Sequence, residues 1–272
     1  MRNGFSYLLV TLCIVDLLVI LSNVVLAVKT INPDSHIIYK LSIFSDCLCH
    51  ISLTASVILT VGITIERYYA ICTPHAYKAR VAKRSQCSII SNYIIPTLAC
   101  AILFNIPKLL QLLGFFSAET FSPSSAHVFM MIGITYQVFH PLATTCILPI
   151  FILCILNYRI SVGSKRMSLS LQKDISMAKI MMTIVTVFIT LSIPRMVLAM
   201  YEVATIPRIL ECYRRNCHYY ISSTRWVADS IVRYLAMLNS STNFLIYCLY
   251  GSQFRTTLVS LFNFRQKNSV AA

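Results

Sequence analysis

Six long charge-poor runs constrain this chain more than any other feature: Phe5 to Val28, Ile37 to Ile65, Gln86 to Leu113, Met130 to Tyr158, Ile175 to Tyr201 and Trp226 to Tyr250. Each can cross a bilayer as a helix, which takes about 20 residues. Each also far exceeds the roughly ten alternating residues of a membrane β-strand. The sequence therefore predicts an all-α membrane protein, a bundle of six transmembrane helices. Of its residues 57% are hydrophobic and only 12% charged, against about 25% charged in a soluble domain. The interior prolines Pro96, Pro107, Pro149 and Pro194 are compatible with this, because packed membrane helices tolerate them.

The formal charge of +14 invites a nucleic-acid reading, but its placement argues for a membrane. Put both chain ends, the loop after Arg67 and the stretch Arg159 to Lys179 on one side. That side then holds Arg2, Arg67, Lys78, Arg80, Lys83, Arg84, Arg159, Lys165, Arg166, Lys173, Lys179, Arg255, Arg265 and Lys267, opposed only by Glu66 and Asp174. Positive charge marks the cytosolic side, so both termini are expected inside. No cleavable leader is evident, since the first run is too long and carries Asp16. Of the eleven cysteines, nine sit in or beside apolar runs as small core residues. Cys212 and Cys217 fall in the polar outside loop Pro207 to Tyr220, where an oxidising compartment permits a disulfide.

Ionisable groups in mid-membrane are costly and face a partner or water. Asp16 lies near the centre of the first run. Ser56, Asn239, Ser240 and Asn243 are candidates to join it, the last three sharing one helical face. Such a ring of oxygens suits either a monovalent cation or a hydrogen-bonded packing cluster. At the mouth of the second run stands Glu66-Arg67-Tyr68. An acid beside an arginine there is either a releasable switch or a boundary arginine with its neutralising neighbour.

Leu12-Cys13-Ile14-Val15-Asp16-Leu17, then Glu66-Arg67-Tyr68 with Ala70-Ile71-Cys72-Thr73-Pro74, then Asn239-Ser240-Ser241-Thr242-Asn243-Phe244-Leu245-Ile246-Tyr247 resemble, in order and separation, the rhodopsin-like G-protein-coupled receptors. The last two helices, with Ile193-Pro194-Arg195 and Tyr201-Glu202, then Asn243 to Cys248 and Phe254-Arg255, look most like the invertebrate FMRFamide-type peptide receptors. The resemblance implies an activation switch of Glu66, Arg67, Tyr68, Asp174 and Tyr247, with Asp174 pairing to Arg67 at rest. It implies a packed connector of Val57, Pro149, Phe188 and Pro194. It assigns Asp16, Ser56, Asn239, Ser240 and Asn243 to an allosteric sodium pocket, with no other cofactor. Pro74, Ala76 and Tyr77 are the expected contacts of a heterotrimeric G protein, and the location is the plasma membrane. The receptor domain spans 1–251, an amphipathic membrane-surface helix 252–264, and a short tail 265–272.

Residues toward the outer helix ends, Asp46, His50, Tyr136, His140, Arg195, Glu202, Asp229 and Arg233, are the expected ligand contacts. A short amidated neuropeptide ending in Arg-Phe would offer its cation to Asp46, Glu202 or Asp229. Asp229 and Arg233, four apart, are better suited to pairing with each other. Cys49 stands where amine receptors place an acid, which disfavours an amine ligand.

The chain also departs from the resemblance. It supplies the second to the seventh of seven helices, so this polypeptide is expected to signal poorly. Ser42 stands where the usual disulfide cysteine is expected, Ser192 replaces the usual tryptophan before Pro194, Phe244 a proline, and Asn157 a tyrosine. A truncated, non-signalling receptor or a gene-model fragment that associates with full-length receptors remains an alternative. A small transporter is disfavoured by the lack of internal repeats, and an intramembrane enzyme by the lack of Gly-x-Ser-x-Gly or His-Glu-x-x-His.

Overall fold

A computed structural model describes residues 3–82, 90–112, 136, 139, 142–165, 172–215 and 222–250. These form helices and their connections, with no strand among the described residues. In chain order they are α1 (Asn3–Ile31), α2 (His36–Cys72), α3 (Pro74–Ala82), α4 (Ile95–Phe104, entered through a π-helical turn Ile90–Ile94), α5 (Ile106–Leu112), α6 (Leu148–Lys165, entered through a π-helical turn Leu142–Ile147), α7 (Gln172–Arg214) and α8 (Ser223–Tyr250). The expected surface helix at 252–264 and the tail at 265–272 lie outside the described residues.

The α1 helix shows why this bundle belongs in lipid. Leu8, Leu12, Val15, Asp16, Val19, Ser22 and Asn23 recur at helical spacing and are buried, whereas Val10, Ile14, Leu17, Leu21, Val24 and Val28 cover the opposite face and are exposed, Ile14 by 56% and Leu21 by 53%. In water that outward face would be polar. Here the polar residues point inward and the outward face is apolar, the arrangement a hydrocarbon solvent demands. Phe151 on α6 and Val197 on α7 are likewise exposed, by 64% and 58%.

Among the described residues, four helical segments are long and apolar enough to cross a membrane: Tyr7–Ile31, His36–Cys72, Leu142–Ser164 and Met182–Cys212, with a shorter apolar helix at Asn92–Phe104. These overlap four of the six runs that the sequence offers as spans. Within the run Gln86 to Leu113, the described residues 90–112 break at Asn105, whose backbone N–H turns back to Ile102 O at 3.0 Å, with Pro107 following in α5. The α8 helix is long, 28 residues, but carries Arg225, Asp229 and Arg233 together with the polar run Asn239 to Asn243, and it falls outside the apolar set.

Local chemistry fixes the ends of α2. The Ser35 hydroxyl accepts from the Ile38 N–H at 3.5 Å to cap its start. The Thr73 N–H returns to Tyr69 O at 3.1 Å, and Pro74 opens α3, where a missing N–H costs nothing. Within α2, Thr54, Thr60 and Thr64 donate to the carbonyls one turn back at 2.7–2.9 Å, which satisfies their hydroxyls without water. The α7 helix, at 43 residues about 65 Å long, outruns the roughly 30 Å hydrocarbon core and keeps Pro194 and Pro207 inside it.

The α2 helix is the hub: α1, α4, α5, α6 and α7 all pack on it, while α8 closes the bundle between α7 and α1. One apolar cluster joins Leu12 and Val15 of α1, Leu59 and Ile63 of α2, Ala101 of α4, Ile184 of α7 and Ile246 of α8. A second joins Val57 of α2, Leu153 of α6 and Val185 and Phe188 of α7. Because lipid tails are as apolar as these side chains, packing and cross-helix hydrogen bonds hold the helices together, rather than expulsion from water.

Candidate functional site

At mid-bundle the Ser56 hydroxyl donates to Asp16 Oδ1 at 2.6 Å and the Asn243 amide donates to Asp16 Oδ2 at 3.0 Å. One carboxylate thus ties α1 to α2 and α8. Asn239 and Ser240, one turn away on α8, are buried too; the Ser240 hydroxyl lies within hydrogen-bonding reach of the Asp16 carboxylate, while Asn239 Oδ1 has no hydrogen-bond partner among the described residues. Buried oxygens without a donor cost free energy unless something else satisfies them. The five residues that the sequence groups as a pocket are therefore all buried at one level, with Ser56, Ser240 and Asn243 reaching Asp16.

At the basic end of α2, Glu66 and Arg67 are 5% and 9% exposed. Glu66 Oε1 accepts a hydrogen bond from the Tyr93 hydroxyl, carried by the turn that leads into α4. The acid therefore does more than neutralise its neighbour, because it also holds α4 to α2. Tyr68 packs with Ile71, Ile160 and Met182. A Cβ at Gly163 would lie 3.0 Å from Cys72 Sγ, so it is glycine that lets the ends of α2 and α6 meet here. Asn157, also on α6, buries its Oδ1 without a hydrogen-bond partner among the described residues. Asp174 falls in the first turn of α7 and Tyr247 near the end of α8; the side chains of both lie outside the described residues. Pro74, Ala76 and Tyr77 stand on the first turn of α3, with Ala76 exposed.

At the opposite end the charges pair across helices. Asp46 on α2 takes Lys108 of α5 at 2.8 Å, His50 one turn on at 3.8 Å and Arg233 of α8 at 3.9 Å. Arg233 also donates to Asp229 at 2.8 Å, and Arg225 of α8 pairs with Glu202 of α7 at 2.9 Å. All three acids expected to receive a ligand's cation therefore already hold one from this chain. Below them lies a small cavity of about 30 Å³, walled by Leu53, Val57, Phe188, Leu191, Val232 and neighbours, with Ser192, Arg195 and Asn239 among its polar lining. Its floor shares Val57 and Phe188 with the second apolar cluster. Tyr136 is half-buried, and His140 lies outside the described residues. Cys212 is disulfide-bonded, and Cys217 lies outside the described residues.

Residues 1–247 match the family described as 7 transmembrane receptor (rhodopsin family). The chain belongs to that family. Its members are receptors rather than enzymes, and this one is a multi-pass membrane protein. It is also similar to an "FMRFamide receptor" of Drosophila melanogaster, 25% identical over an alignment that covers 96% of this chain and 48% of the relative. The chain spans about half the length of that curated relative.

In this rhodopsin-family receptor, three partners escaped the sequence reading. Lys108 for Asp46, Arg225 for Glu202 and Tyr93 for Glu66 all come from another helix. Helical periodicity relates only residues on one helix, so no local spacing signals them. Asp229 with Arg233, four apart on one helix, was the legible exception.

Proposed function

We propose that this chain is a receptor for an extracellular, short amidated neuropeptide, acting through a heterotrimeric G protein at the plasma membrane, with both ends of the chain cytosolic. The observation that carries the reading is that α2 alone contributes to all three levels: Asp46 at the outer end, Ser56 in the Asp16 junction, and Glu66 with Arg67 at the basic end. Asp46 and Arg67 stand about 32 Å apart along that helix. A ligand that redistributes the outer ion pairs shifts helices that are also joined at the junction. It need favour one arrangement by only a few kcal/mol to change the population of the other.

The basic end is then the G-protein face. Pro74, Ala76 and Tyr77 supply contacts there, and release of Arg67 from Asp174, with Tyr247 moving inward, opens the groove. Val57, Pro149, Phe188 and Pro194 connect the outer cavity to that face. Pro149 is buried, and Val57 packs with Phe188.

The mid-bundle residues suit a sodium ion. Asp16 offers a carboxylate, and the buried Asn239 Oδ1 is an oxygen in want of a positive partner. Asp16, Ser56, Asn239, Ser240 and Asn243 would hold the ion, which would neutralise the acid.

The ligand class follows from the relative named above together with the charged outer end, and it is tested by binding. Membranes carrying the chain are expected to bind labelled Phe-Met-Arg-Phe-amide saturably, with displacement by the unlabelled peptide. No saturable binding across a panel of amidated Arg-Phe peptides would falsify the ligand assignment.

A further inference from the structure

Arg195 stands apart from every other charge near the outer cavity. Lys108, Arg233 and Arg225 each reach a carboxylate, through Asp46, Asp229 and Glu202. Among the described residues Arg195 makes no hydrogen bond or ion pair, and among them it is the one charged side chain lining the cavity. It is half-buried on α7, within electrostatic range of His50 and Cys49. Among the described residues, these four bases stand with three acids, and the base without an ion pair is the one that borders the cavity.

A guanidinium has five donors and keeps its charge at any working pH. Inside a membrane bundle such a group sits with a counter-ion or water. The other lining residues are Leu53, Val57, Leu191 and similar apolar groups, with Thr145, Ser192 and Asn239 as neutral polar ones. None can supply a negative charge. The free space, about 30 Å³, exceeds the roughly 10–15 Å³ that one water needs, so there is room beside the guanidinium for more than a single water.

We propose that Arg195 is an anion-recognition residue: the ligand of this cavity presents a carboxylate that pairs with its guanidinium. The proposal rests on the cavity being a ligand site, and it changes the expected polarity of the ligand. A peptide cation has to compete with Lys108, Arg225 and Arg233 for acids already paired, whereas a peptide carboxylate meets an arginine with nothing to displace. The carboxylate comes either from a free C-terminus or from an acidic side chain beside a blocked one.

Three small probes separate these cases on the purified full chain: N-acetyl-phenylalanine, N-acetyl-phenylalaninamide, and N-acetyl-aspartyl-phenylalaninamide. Thermal stabilisation is read as a function of probe concentration. A charge-assisted pair predicts at least about tenfold tighter binding of an acid than of the uncharged amide. Stabilisation by the first acid assigns a terminal carboxylate, and stabilisation by the aspartyl probe alone assigns a side chain. Arg195→Gln should remove the preference and Arg195→Lys should keep part of it. If Arg195→Gln does not fold, the comparison of probes on the unmodified chain and on Arg195→Lys still decides. Equal binding of acids and amide, or no binding of either acid, overturns the proposal. These probes do not depend on any Arg-Phe peptide, so failure of the peptide assay and failure here remain distinct results.

Discussion

Asp16→Ala is expected to destabilise the bundle by about 1–3 kcal/mol, whereas Asp16→Asn should leave stability unchanged or raise it. The alanine variant strands two buried donors, the Ser56 hydroxyl and the Asn243 amide, and each unmet donor costs roughly 1–3 kcal/mol. In membranes the loss is smaller, since cross-helix hydrogen bonds average only about 0.6 kcal/mol there, so the total lies nearer one such penalty than two. Asparagine keeps one acceptor oxygen for the Asn243 amide and turns its NH2 toward the Ser56 hydroxyl, which can rotate to accept, and it removes a buried charge whose desolvation opposes folding. Thermal unfolding of the detergent-solubilised chain reads both variants. Equal loss in both would mean that charge, rather than the hydrogen bonds joining α1, α2 and α8, holds the junction.

The second large effect is at Asp46. Asp46→Ala should cost about 1–3 kcal/mol, because it leaves Lys108 and one side of Arg233 without their acid, and breaking a buried pair on one side is worth several kcal/mol. The side chains of Asp46 and Lys108 remain 30% and 20% exposed, so water recovers part of the loss and the lower half of that range is favoured. Adding Lys108→Met should restore most of the stability, since an apolar side chain replaces a stranded cation. Non-additivity of about 1 kcal/mol or more in this double-mutant cycle is the signature, and additive losses would contradict it. The pair ties α2 to α5 at the end of the bundle where Ser42 stands in place of the expected disulfide cysteine.

Much of the centre was legible beforehand, because a lone acid in an apolar run can be placed by cost alone. Asp16 had to find polar company, and the face of α8 carrying Asn239, Ser240 and Asn243 was the richest on offer. The basic end was legible as a position but not as a set of contacts: charge bias locates Glu66 and Arg67, yet nothing in local spacing points from Glu66 to Tyr93. The outer end was the least legible. The acids there were visible, but their partners Lys108 and Arg225 sit on other helices, where only tertiary structure brings them close. One interruption was also hidden from the sequence, for a related reason. Hydropathy sees Gln86 to Leu113 as one apolar run, while Asn105 turns its backbone N–H back on the preceding helix and its side chain to Ala101 O and Thr54 Oγ1 at 2.8 and 3.1 Å. A polar contact with α2 thus ends α4 where apolarity alone would continue it.

The claim at the centre of this account is that outer binding and the Asp16 junction are coupled through α2 and α8. The most direct measurement is the affinity of labelled Phe-Met-Arg-Phe-amide for the chain in sodium and, at equal ionic strength, in N-methylglucamine, for the wild type and Asp16→Asn. The account predicts that sodium weakens binding several-fold in the wild type, a coupling of about 1 kcal/mol or more, and has no effect in Asp16→Asn. Sodium sensitivity that survives in Asp16→Asn, or its absence from a wild type that binds the peptide, would contradict it.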